Sequence, residues 1–150
     1  MIDRVEARLR VARMLARRGK QRAVAEMARM LRPGGAIAVA DVIARLDALP
    51  GELRTAAARV ACVADARTED GYAALVRGAG CEKIAVERCD ADLLAMIDRV
   101  EARLRVARML APPGEQRDRM REAVELARMA RDEVAHGTLG YVLIVARRGS

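Results

Sequence analysis

The chain has no phenylalanine, no tryptophan, one histidine (His136) and one serine, Ser150, its last residue. That is a poor stock for a serine nucleophile with a histidine base, and no histidine-based zinc motif can be written from it. With Tyr72 and Tyr141 as the only aromatics, platforms for stacking single-stranded bases are missing as well. Long apolar runs are also absent. The most useful one, Tyr141 to Ala146, is far below the ~20 residues that cross a bilayer. Met1-Ile2-Asp3-Arg4 opens without the apolar core of a secretory leader, and the segment is neither Ser-rich nor poor in acids, as a transit peptide would be. Three cysteines, an odd number, then point to a reducing interior, and the expected location is the cytoplasm.

What is present fits one domain: 150 residues, 53% hydrophobic and 33% charged. The net charge of +7 is unevenly placed. Residues 1–32 hold ten basic groups (nine Arg and Lys20) against Asp3, Glu6 and Glu26, whereas residues 33–150 hold eighteen of each sign. The basic character therefore belongs to an N-terminal extension. Such an arm attracts nucleic acid, anionic lipid or an acidic partner, or is simply a solvated helix face in an Arg- and Ala-rich chain. Without aromatic or motif support, nucleic-acid binding ranks last among the functional readings, and no membrane partner is expected.

Residues 1–16, MIDRVEARLRVARMLA, recur letter for letter at 96–111. Packing constraints alone would let surface positions drift, and solenoid repeats are shorter-spaced and degenerate. A recent duplication, a recombination junction or an artificial joint accounts for the identity. Each copy reads as a helix, with Ile2, Val5, Leu9, Ala12 and Ala16 on one narrow apolar stripe. Acids in its first turns, and Arg13, Arg17 and Arg18 in its last, suit the helix dipole. Residues 1–19 are thus expected as a basic amphipathic helix ahead of a domain at 20–150.

A second helix is expected at about 20–31, stopped by Pro33-Gly34-Gly35. Ala36 to Val42 reads as a strand buried on both faces, with Asp41 at its carboxyl end. That edge of an open α/β sheet is where ligands bind; capping or solvating a loop is the alternative role for Asp41. Residues 52–66 read as helix. Thr68 then caps a helix that Gly78 to Gly80 end, and Lys83 to Arg88 reads as a strand. Asp90 is expected to cap a long helix broken by Pro112-Pro113-Gly114, and residues 115–136 form another, closed by His136 and Gly137. Tyr141 to Val145 is the strongest strand signal. The order predicts a layered α/β sheet of about three strands.

Chemical motifs are few. Gly78-Ala79-Gly80 follows a helix, the wrong context for a nucleotide-binding turn. Cys62, Cys81 and Cys89 suggest a thiolate site, but eight extended residues put Cys81 and Cys89 ~26 Å apart. Each thiol also reads as a small buried hydrophobe. His136 reads as an ordinary last-turn residue.

KQRAVAEMARMLRPGGAIAVADV (20–42) and LPGELRTAAARVACVADARTEDGYAALVRGAGCEKIAVER (49–88) resemble the C-terminal half of class I S-adenosylmethionine-dependent methyltransferases, nearest the arsenite-methyltransferase-like branch. Leu31 to Gly35 is similar to the turn before that family's fifth strand, and AALVRGAGC to the segment before its sixth. Residues 90–136 and GYVLIVARR (140–148) look like a helical insertion and the seventh strand. The resemblance implies a partial Rossmann-like sheet and a small-molecule or metalloid substrate. It implies S-adenosylmethionine as the family's cofactor, with the Gly-rich loop and ribose-binding acid of strands one to four not found here. The implied outcome is a fragment inactive alone. The resemblance puts Cys62 at a thiolate position for trivalent arsenic and Asp41 beside the substrate pocket. A non-catalytic oligomerisation module is the second expectation. It would form a homodimer through an unpaired edge of the fifth strand, or by residues 1–16 taking the place of residues 96–111 in a neighbour.

Overall fold

The computed structural model describes residues 19–57, 63 and 65–149. The first copy of the repeat and Cys62 lie outside the described residues. The elements are helix α1 (residues 19–30), strand β1 (Ala36–Ala44), helices α2 (Gly51–Ala57) and α3 (Glu69–Gly78), strand β2 (Cys81–Arg88), helices α4 (Asp90–Leu110) and α5 (Glu115–Ala135), and strand β3 (Leu139–Arg148). They build an α/β fold on a small sheet ordered β1-β3-β2, in which β3 runs antiparallel to both neighbours. The strongest sequence signal thus takes the central position. Val142, Ile144 and Ala146 of β3 are at most 1% exposed.

Strand periodicity sorts the layers, because alternate side chains point to opposite faces. Ile37 and Ile43 of β1, Val142, Ile144 and Ala146 of β3, and Ile84 and Val86 of β2 share one face with Val24 and Ala28 of α1 and with Tyr72, Leu75 and Val76 of α3. Cys81 joins this face despite its odd number, since a bulge between Cys81 and Lys83 shifts the register by one residue. The opposite face carries Val42, Ala44, Leu139 and Tyr141, packed by Leu93 and Ile97 of α4 and Val134 of α5. Truncating a fully buried centre such as Ile144 to Ala would cost about 2–5 kcal/mol.

The turn into β1 is set by Pro33 and by Gly34, whose φ of 73° only glycine adopts freely. Arg148 of β3 then closes α1: its Nη1 donates to the Leu31 carbonyl at 2.8 Å, and its backbone N–H to Gly35 O at 2.8 Å. α4 and α5 have no internal Gly or Pro and form an antiparallel hairpin. Across it, Glu101 accepts from Arg128 and Asp98 pairs with Arg131, while Arg105 of the same helix also donates to Glu101. Arg128's hydrogen bond, then that of Arg105, holds the Glu101 carboxyl below its ordinary value against the opposing effect of burial.

Three details depart from the sequence reading. β1 is not buried on both faces, because the hairpin covers only its Val42 and Ala44 end and leaves Ala36, Ala38 and Ala40 exposed. Residues 65 and 66 are not helical, so the helix expected at 52–66 does not run to its end. Cys89, not Asp90, is the N-cap of α4. Asp90 instead clamps the β2–β3 junction, its Oδ1 accepting from Tyr141 N–H at 3.0 Å and its Oδ2 from Arg88 Nη2 at 2.7 Å.

Candidate functional site

Charged groups gather on the α1/α3 side of β1. Asp41 points to that face, opposite Val142 in the register, and α1 and α3 bring Lys20 and Tyr72 to it. Lys20 Nζ lies 2.7 Å from Asp41 Oδ2 and donates to the Tyr72 hydroxyl at 2.7 Å. The hydroxyl in turn donates to Asp41 Oδ2 at 2.5 Å. The second oxygen, Asp41 Oδ1, accepts from the Val42 N–H at 2.8 Å. Lys20 also donates to the Asp65 carbonyl at 3.2 Å and stands 3.7 Å from Asp65 Oδ2.

Asp65 is 3% exposed, and neither carboxylate oxygen accepts a hydrogen bond. One ammonium therefore holds two carboxylates, and the nearby Arg67 charge adds to the balance. Burial first, then the Asp41 hydrogen bond and the Asp41 and Asp65 charges, push the Tyr72 phenol well above its ordinary value. The phenol stays protonated. It is a hydrogen-bond donor that ties α3 to β1, not a base.

Two clefts open on the surface, the smaller beside this network and the larger away from it. One of about 450 Å³ opens at the carboxyl end of β1, between Ala44–Asp47, Ala66–Thr68 and Gly71. It lies where the α/β rule places ligands. Beside it, the Ala44 N–H donates to Arg67 O at 3.0 Å, and Ile43 and Arg67 form a single parallel bridge. Among the described residues, that bridge is the one pairing on the side of β1 away from β3. A larger cleft, about 710 Å³, lies between α2 and α5, with Leu126 and Met129 on its wall.

Asp41 stands sixth of the nine residues of β1, inside the strand and not at its carboxyl end, and its oxygens already accept from Lys20, Tyr72 and Val42. Cys81 is buried at the start of β2 and Cys89 follows its end, so the strand separates them as its length required. Among the described residues no group of three His, Cys, Asp or Glu could hold a metal ion. His136 is the C-cap of α5. No helix is long and apolar enough to cross a membrane, among the same residues. Lys20, Tyr72 and Asp65 were missed as a group. A signal existed: Lys20 is one of two lysines in a chain that otherwise uses arginine. A compact ammonium fits among several oxygens where a planar guanidinium does not.

No protein-family profile matches the chain, and no curated protein matches it. Solved structures do. A cyclopropane synthase from Mycobacterium tuberculosis superposes with a TM-score of 0.70 at 10% identity, over 88% of this chain and 50% of its own. A Haemonchus contortus phosphoethanolamine N-methyltransferase, solved with phosphomonomethylethanolamine and S-adenosylhomocysteine, gives 0.64 at 11% identity, over 87% and 30%. A putative sarcosine dimethylglycine methyltransferase from Galdieria sulphuraria gives 0.63 at 19%, over 87% and 48%. The chain therefore has part of the Rossmann-like fold of class I S-adenosylmethionine-dependent methyltransferases, and spans half or less of the length of these neighbours.

The described residues do not fit the methyl donor. Gly78 and Gly80 end a helix and do not follow a strand, and the Asp41 carboxylate that faces the site is engaged within the chain.

Proposed function

We infer that this chain is the C-terminal half of a class I methyltransferase fold and that the half binding S-adenosylmethionine lies outside these 150 residues. One observation carries the reading: nearly nine-tenths of the chain superposes on half or less of each methyltransferase neighbour. The outer side of β1, paired among the described residues by one bridge to Arg67, supports it, because a larger sheet would continue there. In the complete protein the substrate is a small molecule or a metalloid. Its pocket opens at the carboxyl end of β1, near Asp41, and Cys62 is the arsenic-binding thiolate of an arsenite-methyltransferase-like site. The isolated chain transfers no methyl group. The test is labelled S-adenosylmethionine offered with arsenite and with small amines: no label above the buffer control is expected, and any protein-dependent transfer overturns the reading. A second reading has β1 pairing through its open side with the same strand of another copy, favoured by the same unfilled edge.

A further inference from the structure

In the second copy of the repeat, one flank of α4 carries exposed large apolar side chains. In α4, Ile97 and Glu101 turn inward, and Asp98 and Glu101 reach toward α5. On the flank away from α5, Met96, Val100, Arg103, Ala107 and Leu110 recur at spacings of four and three, the pattern of one helix face. Met96 is 47% exposed, Val100 44% and Leu110 81%. Three large apolar side chains left open along one helix face mark an interaction surface.

We propose that residues 1–16 of a second copy lie antiparallel on this flank of α4, so that two chains exchange their N-terminal segments in a symmetric dimer. The segment's stripe of Ile2, Val5, Leu9 and Ala12 has the helical spacing needed to fill the row. Charge sets the direction. Asp3 and Glu6 near the start of the segment meet Arg103 toward the end of α4, and Arg17 and Arg18 approach Asp92 near its beginning. A plain α4–α4 contact lacks this match, because Asp98 and Glu101 are already held by arginines of their own chain.

The same chain's segment cannot reach. α1 lies on the sheet face opposite α4, as the two sets of core residues show. Two layers of about 10 Å separate the helices. The three peptide steps from residue 16 to Gly19 span at most about 11 Å. The segment therefore docks beside α4 of a neighbour and does not displace it. The inference stands independently of the methyltransferase reading.

The test is the mass of the full chain by light scattering and sedimentation, with Val100→Asp on the α4 side and Val5→Asp on the segment side. Both leave the described core untouched, which circular dichroism checks. A dimer is expected for the unmodified chain, with dissociation strengthened at least about tenfold by either variant. A monomeric unmodified chain overturns the proposal. A dimer indifferent to both variants does so in favour of pairing at β1, and a dimer sensitive to Val100→Asp alone does so in favour of an α4–α4 contact.

Discussion

Replacing Tyr72 with phenylalanine removes one oxygen and keeps a ring that is 1% exposed in the core. The lost hydroxyl donates to Asp41 at 2.5 Å and accepts from Lys20 at 2.7 Å. Hydrogen bonds to charged groups contribute about 1.5–3 kcal/mol each. Here the partners limit the loss: Lys20 and Asp41 are 23% and 20% exposed and still face each other at 2.7 Å. A net destabilisation of about 1–2 kcal/mol follows, read as a lower urea midpoint at unchanged slope. The pH dependence adds a second signature. Above the ordinary phenol value of 10.0, an unfolded Tyr72 releases its proton while the folded one keeps it. The unfolded state then binds fewer protons, so this residue makes stability fall by up to about 1.4 kcal/mol per pH unit on the alkaline side. Phenylalanine abolishes that contribution. A variant as stable as the parent at neutral pH, with the same alkaline decline, would refute the placement of the phenol between the two charges.

Lys20→Met should cost more, about 2–3 kcal/mol, because it leaves Asp41 and the buried Asp65 carboxylate without the ammonium between them; urea unfolding would rank the two variants. Glu101→Gln should flatten acid unfolding. The folded carboxyl is held low, so its stabilisation is complete above about 4.5 and is lost as pH falls through the lowered folded value, a loss that glutamine cannot show in an acid titration. Gly140→Ala should destabilise by about 1–3 kcal/mol in thermal melts. Its Cβ would stand 2.6 Å from Arg88 Nη2 and 2.7 Å from Asp90 Oδ1, forcing open the clamp that fixes Tyr141.

Much of the fold was legible because punctuation and periodicity agree. Pro33-Gly34-Gly35, Gly78 to Gly80 and Pro112 to Gly114 end helices where expected, and Thr68 caps α3 by accepting from Gly71 N–H. The apolar runs mark the three strands found among the described residues, each longer than its most hydrophobic stretch because ladder bonds recruit flanking residues such as Ala44 and Arg148. Burial was less legible. A run such as AIAVADV gives no sign of how far a hairpin distant in sequence will reach along the strand. The candidate site was legible in one residue only. Asp41 stood out as the one acid in an apolar run, though not at the strand end expected for it, and Lys20 and Tyr72 meet it from helices whose crossing no local pattern reports. Asp65 is buried by tertiary packing alone.

The central claim, that this polypeptide is the portion of a methyltransferase fold without the methyl-donor pocket, is tested most directly by titrating S-adenosylmethionine into the purified full chain in a calorimeter. Heats indistinguishable from dilution are predicted. Saturable binding with a micromolar Kd and one site per chain would contradict it.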